Sequence, residues 1–359
     1  MVAVCVEDYA RLARDRLPAE VWDYVEGGAG AERTVAANRA AFDRLRLRPR
    51  ILVDCSAPDT ATTVLGAALR APLGIAPTAY HRLVHPEGEV ATARGAGAAG
   101  ALYVVSIFAS QPLEEIAAAA TGPLWLQLYW LRRRDALEQL VKRAEAAGFA
   151  GLVLTVDTPR VGKRLRDLRN GFAVPPEARA VNLDAEVMAA SLVSRPGASA
   201  IVEHSVQTFD PSLRWSDLAW LRGLTRLPIL LKGVLTAEDA AITRSIVDGV
   251  IVSNHGGRQL DGAVASLDAL AEVVDAVGGA CPVLFDGGVR CGADVFTALA
   301  LGASAVLLGR PVLWALSAGG ADGVAHVLEM LREELAETMV LAGRPTLADL
   351  DRSALVREL

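Results

Sequence analysis

An imidazole, two glycines and a guanidinium stand together in the stretch Ser253-Asn254-His255-Gly256-Gly257-Arg258-Gln259-Leu260-Asp261. His255 can exchange a proton near neutral pH. Arg258 can grip a carboxylate through two parallel hydrogen bonds. Gly256 and Gly257 let the backbone turn tightly between them. A base beside an anion clamp points to proton chemistry next to a bound carboxylate. A second cluster lies in Asp286-Gly287-Gly288-Val289-Arg290 and Gly309-Arg310. There the glycines expose backbone N–H groups and the arginines supply charge, so the two segments read as a phosphate cup. That cup implies a phosphate-bearing cofactor. Only three of the 36 basic residues are lysines (Lys142, Lys163 and Lys232). Lys232 follows Ile229-Leu230-Leu231, an apolar context in which a charge needs a purpose.

The elements that hold these groups form a repeating pattern. Short apolar runs fall at 73–76, 102–105, 124–128, 152–156, 229–232, 250–252, 283–285 and 305–308. Stretches with helical spacing, such as 135–147 and 236–246, lie between most of them. Strands alternating with helices imply a parallel sheet. Eight of them imply an α/β (β/α)8 TIM barrel, whose active site is built at the C-terminal strand ends. The cup then lies after strands seven and eight, where barrels commonly hold phosphate. The expected organisation is a single domain over residues 1–359. Residues 1–70 form an N-terminal helical extension, 71–312 the barrel and 313–359 C-terminal helices. The chain spends about 70 residues between the fourth and fifth strands, and a loop of such length is usually a lid or a binding loop. This expected lid insertion covers 158–227.

Composition narrows the partners. A net charge of −6 argues against nucleic acid, because phosphate binding wants a basic face. Cys5, Cys55, Cys281 and Cys291 have neither CxxC spacing nor a matching histidine cluster, so neither a metal site nor a disulfide framework is expected. The start of the chain, with Glu7 and Asp8, lacks a signal-peptide profile, and a cytoplasmic setting is expected. The uncharged run 95–113 reads as a helix end, a strand and a turn, not a membrane span. His81, His85, His204 and His326 read as loop or surface residues.

Nine segments carry a family resemblance. They are Arg48-Pro49-Arg50, Ala76-Pro77-Thr78-Ala79, His85-Pro86-Glu87-Gly88, Gln127-Leu128-Tyr129, Thr155-Val156-Asp157-Thr158-Pro159, Leu231-Lys232-Gly233-Val234, Ser253 to Asp261, Asp286 to Arg290 and Leu308-Gly309-Arg310. The chain resembles the FMN-dependent L-2-hydroxy-acid oxidases and dehydrogenases, among them glycolate oxidase, lactate oxidase and mandelate dehydrogenase. Within that family it looks closest to the 4-hydroxymandelate oxidases. The resemblance implies FMN as cofactor, His255 as catalytic base and Asp157 as its partner. It implies that Arg258, Tyr24 and Arg164 bind the substrate carboxylate and that Tyr129 bonds the substrate oxygen. Lys232 would lie against the flavin, with Ser253 also at the cofactor. Pro77, Thr78, Ala79, Ser106, Gln127 and Thr155 would contact the flavin ring, and Asp286 the ribityl chain. Gly287, Gly288, Arg290, Gly309 and Arg310 would hold the phosphate. The family also implies a homotetramer.

Phe108 stands where glycolate oxidases carry tryptophan. The smaller ring enlarges the side-chain pocket and keeps an aromatic wall. The expected substrate is therefore an aromatic (S)-2-hydroxy acid, mandelate or 4-hydroxymandelate, oxidised to the 2-oxo acid with O2 reduced to H2O2. A membrane-bound relative passing electrons to another acceptor would carry an apolar insertion. Here residues 172–215 hold Arg179, Arg195 and Arg214 against Glu177, Asp184, Glu186, Glu203 and Asp210. An FMN-dependent isomerase on the same barrel would not need a carboxylate clamp beside a base.

Overall fold

A computed structural model describes residues 2–183 and 207–357. Eight parallel strands close into a barrel: β1 (Leu73–Ile75), β2 (Leu102–Val105), β3 (Leu124–Leu128), β4 (Leu152–Thr155), β5 (Ile229–Val234), β6 (Gly249–Val252), β7 (Val283–Asp286) and β8 (Ala305–Leu308). Strand β8 pairs with β1, Leu307 opposite Gly74, and this pairing shuts the barrel. All eight apolar runs of the sequence are strands. Most are buried along their whole length, as strands covered on both faces must be. Helices Arg134–Ala146 and Ala237–Thr243 occupy the stretches with helical spacing.

The barrel interior is a packed core. Leu102, Val104, Trp125, Val153, Leu230, Ile251, Leu284 and Leu307 fill it. Val64, Ala67 and Leu69 join them from a hairpin, Thr62–Val64 with Ala67–Leu69. The hairpin turns on Leu65 and Gly66, at φ 46° and 83°. Two positive values match the tight turn that suits twisted strands. Nothing in the alternation of so short a segment announces this plug.

Helices Val6–Arg16 and Ala19–Glu26 break at Pro18, and the second stops at Gly27. Residues 45–47 form an edge strand, but their partner is Leu355–Arg357 at the far end of the chain. The C-terminal segment therefore differs from a set of helices. One helix, Arg310–Leu341, is broken at Gly319 and Gly320. Short turns and the strand 355–357 follow it. Part of the expected lid lies outside the described residues, including Asp184, Glu186, Arg195, Glu203 and His204. Among the described residues, no helix is long and apolar enough to cross a membrane.

His81 departs from expectation. It is fully buried, not superficial. Its Nε2 lies 2.6 Å from Thr78 Oγ1 and its Nδ1 2.8 Å from Thr92 Oγ1, while its backbone N–H donates to the buried Glu89. Burial pulls its imidazole below the ordinary histidine range against the opposing charge of Glu89. The ring ties the loop after β1 to the helix Gly88–Ala98. His326 is exposed and within 2.7 Å of the Tyr9 hydroxyl, and His85 is half-buried.

Candidate active site

The C-terminal strand ends converge on one cleft. The loop after β6 carries His255, the expected base. His255 adopts φ 61°, and Gly256 and Gly257 follow at 62° and 75°. A left-handed histidine is strained, so other contacts must hold it. Ser253 Oγ accepts the His255 N–H at 3.0 Å. Asn254 bonds back to the Gly257 N–H at 3.1 Å. Behind it, Asn38 and Asn254 exchange two buried amide bonds of 2.8 and 2.7 Å. Asn38 comes from the helix Arg33–Asp43 and carries no sequence signal for this task. Asp261 fixes the same helix by accepting the N–H groups of Ala31 and Thr34. Gln259 bridges to the loop after β4 through the Asp157 and Arg160 carbonyls.

That bridge places Asp157 beside His255. His255 Nδ1 lies 2.9 Å from Asp157 Oδ1. Thr158 donates to the same oxygen at 2.9 Å. Burial would raise this carboxyl; the opposing pull of His255, Lys232 and Thr158 is larger and holds it below its ordinary value. Asp157 stays ionised and fixes the imidazole by Nδ1, leaving Nε2 to take a proton. The strand geometry permits the approach. The β5–β6 register shifts between Lys232 and Val234, and Gly233 sits at φ 110°. A Cβ there would lie 2.6 Å from the Asp157 Cβ.

The clamp is assembled from three elements. Arg258 Nη1 donates to the carbonyls of Tyr24 at 2.8 Å and Gly27 at 2.6 Å, both at the end of the helix Ala19–Glu26. Its guanidinium carbon stands 5.1 Å from the Tyr24 ring centre, and that of Arg164 5.8 Å. Burial, then repulsion from Arg164, pushes Arg258 down to about 9. Among the described residues the buried Arg164 Nε has no hydrogen-bond partner. Two crowded cations, one with an unbonded N–H, are a site for an anion.

Aromatic rings wall the cleft. Phe108 lies 6.0 Å from Tyr80, 5.7 Å from Tyr129 and 5.9 Å from Phe209, measured between ring centres. Phe209 belongs to the insertion and stacks on Tyr129 at 4.4 Å. An antiparallel bridge between Leu131 and Phe209 pins it there. Phe209 and Val161 line the cleft and escaped the sequence reading; one of the two phenylalanines of an acidic insertion was the available signal. Burial, then the charge of Asp157, pushes the Tyr129 hydroxyl above its ordinary range, so it remains a neutral donor.

The other half of the cleft suits a cofactor. Lys232 is buried, 3.0 Å from Asp286 Oδ2 and 2.7 Å from Ser253 Oγ. Gln127 links Ser106 at 3.3 Å to Thr155 at 3.0 Å across β2, β3 and β4. Pro77, Thr78 and Ala79 line the same wall. At the end, Gly287 and Gly288 take φ 114° and 89°. A Cβ on Gly288 would meet the Asn38 carbonyl oxygen at 2.5 Å. Gly309 precedes the helix Arg310–Leu341, so the helix N-terminus opens into the cup. Burial, then Arg310, pushes Arg290 down to about 10, and burial lowers Arg310 as well. Asp286 Oδ1 is buried with no hydrogen-bond partner among the described residues. Destabilised cations, exposed backbone and an orphaned acceptor fit FMN: its phosphate at the cup and its ribityl hydroxyls at Asp286. Every site residue named from the sequence lines this cleft except Asp157 and Ser253, which bond to residues that do.

The sequence matches the FMN-dependent dehydrogenase family over residues 13–357. It is 49% identical over 347 residues to the 4-hydroxymandelate oxidase of Amycolatopsis orientalis, covering 96% of this chain and 95% of that protein. It is 47% identical over 352 residues to a peroxisomal (S)-2-hydroxyacid oxidase of Arabidopsis thaliana, covering 98% and 95%. The crystal structure of mandelate oxidase with (S)-4-hydroxymandelic acid superposes with a TM-score of 0.95 at 46% identity, over 99% of both chains. The match spans the barrel, the loop after β6 and the cup, and on it the chain belongs to the FMN-dependent dehydrogenase family.

Proposed function

We propose that the protein oxidises an aromatic (S)-2-hydroxy acid, mandelate or 4-hydroxymandelate, to the 2-oxo acid, with O2 as final acceptor and H2O2 as by-product. The observation that carries this reading is the His255–Asp157 pair set in one aromatic-walled cleft with the Arg164–Arg258 clamp. Arg258 and Arg164 hold the substrate carboxylate and Tyr24 assists. Tyr129 donates to the substrate oxygen. His255 Nε2 takes a proton from the substrate, and Asp157 stabilises the imidazolium so formed. The bound FMN supplies the two-electron acceptor. Lys232, Ser253 and Asp286, with Pro77, Thr78, Ala79, Ser106, Gln127 and Thr155, hold its ring and ribityl chain. Gly287, Gly288, Arg290, Gly309 and Arg310 hold its phosphate. Phe108, Tyr80 and Phe209 shape the side-chain pocket and support an aromatic substrate.

The whole chain is read as one domain in which 158–227 acts as a lid; Arg164 and Phe209, both within it, line the cleft. A cytoplasmic setting is supported by four unpaired cysteines. A homotetramer is the proposed assembly, and the exposed loop Ile51-Leu52 supports a contact between copies. The deciding experiment compares kcat/KM for glycolate, L-lactate, (S)-mandelate and 4-hydroxymandelate in air with peroxide detection. The aromatic acids should lead. Preference for glycolate or lactate would overturn the substrate, and substrate oxidation without peroxide would overturn O2 as acceptor.

A further inference from the structure

Asp167 is a carboxylate that the chemistry so far does not use. Its residue is 3% exposed, and among the described residues neither carboxylate oxygen has a hydrogen-bond partner. Buried carboxylates are normally bonded, because an unbonded one is costly. Asp167 sits three residues after Arg164, in the helix Leu165–Asn170. This helix packs against Ala19–Glu26, whose C-terminal carbonyls hold Arg258. The charges around Asp167 are Arg164, Arg258 and Arg166, which attract it, and Asp23, which repels it. Arg166 is already engaged by Glu32 at 2.8 and 2.6 Å and by Asp23 at 3.4 Å. The clamp cations Arg164 and Arg258 are therefore the partners left to it. Burial raises the Asp167 carboxyl, with those arginines pulling the other way.

We propose that Asp167 is the resident counter-charge of the Arg164–Arg258 clamp, competing with the substrate carboxylate and so keeping the acid product from binding too tightly. A negative charge near the clamp lowers the local positive potential when no ligand is bound. It also weakens the hold on any incoming carboxylate. Asp167 is thus a positioning residue that acts through the arginines. The inference rests on the reading of the cleft as a carboxylate-binding site.

The sign of the effect separates this role from a structural one. The probes are phenylacetate and its neutral isostere phenylacetamide, titrated into holoenzyme and read by perturbation of the bound flavin's visible absorbance. Asp167→Asn and Asp167→Leu should bind phenylacetate about three- to tenfold tighter than wild type, with phenylacetamide shifted by less than about twofold. Asp167→Glu should behave as wild type. Equal or weaker phenylacetate binding by the neutral variants would overturn the proposal. Loss of fold or FMN in both neutral variants would overturn it too, since the carboxylate would then be structural. Wild type that binds no carboxylate removes both this inference and the proposed function. Tighter binding by the variants, alongside no turnover of any 2-hydroxy acid by wild type, removes the proposed function alone.

Discussion

At the scale of single residues the account turns on His255 and Asp157. His255→Ala should keep its FMN and lose substrate-driven flavin reduction by about 10²–10⁴-fold, the usual loss for a general base. Stopped-flow bleaching under anaerobic conditions reads this directly. The Asp157 carboxyl is depressed in the folded protein from its ordinary 3.8. A depressed acid stabilises the fold at pH values above its unfolded value and loses that contribution as pH falls through the folded one. The stability gap between wild type and Asp157→Asn should therefore be full at neutral pH and close only below about pH 3.8, where the folded carboxyl finally protonates. Denaturant titrations across pH 3–7 would show it; a gap that closes already near pH 6 would assign the effect to another group. The pairing of these two residues was legible in the sequence only through the family's motifs. Ninety-eight positions separate them, and no local spacing connects them.

Loops and helices carry the next level. The left-handed His255 loop is held by Asn38, a buried amide from another helix. Asn38→Leu strips Asn254 of two of its bonds and takes away the acceptor of the buried Ser266 N–H, and should cost about 1–3 kcal/mol of stability. Denaturant unfolding checks the magnitude, and FMN should dissociate faster from the variant, because the Asn38 side chain also lies against Gly287. The aromatic box makes a second test. Phe108 packs among Tyr80, Tyr129 and Phe209, so Phe108→Trp overfills the pocket. Its kcat/KM for 4-hydroxymandelate should fall about 10- to 200-fold relative to glycolate. The eight strands were readable because buried parallel strands are continuous apolar runs, bounded by glycine and proline. The plug hairpin and the strand 355–357 were not. Their strands are three residues long, and each becomes a strand only through a partner. His81 was misread for a related reason: its burial comes from Thr78, Thr92 and Glu89 folding around it, which sequence polarity does not register.

For the whole molecule, cofactor and fold are linked. Arg290 and Arg310 are half-buried cations with no carboxylate at ion-pair distance among the described residues, and Asp286 keeps an orphaned oxygen, so the apoprotein carries groups that FMN would satisfy. Saturating FMN at about a hundredfold over its Kd should stabilise the fold by about 2.7 kcal/mol. Riboflavin, which lacks the phosphate, should stabilise far less; equal stabilisation would remove the phosphate cup from the account. The barrel and the cup were visible in the sequence because glycine and arginine at strand ends keep their meaning in any context. The place of Phe209 was not, because it reaches the cleft through its bridge to Leu131. The central claim is that one cleft binds an aromatic 2-hydroxy acid by its carboxylate and takes its electrons. Its most direct measurement is anaerobic mixing of the FMN-loaded protein with (S)-4-hydroxymandelate, followed in the visible flavin band. The account predicts full, saturable bleaching with 4-hydroxybenzoylformate as product; an oxidised spectrum that persists with bound ligand would contradict it.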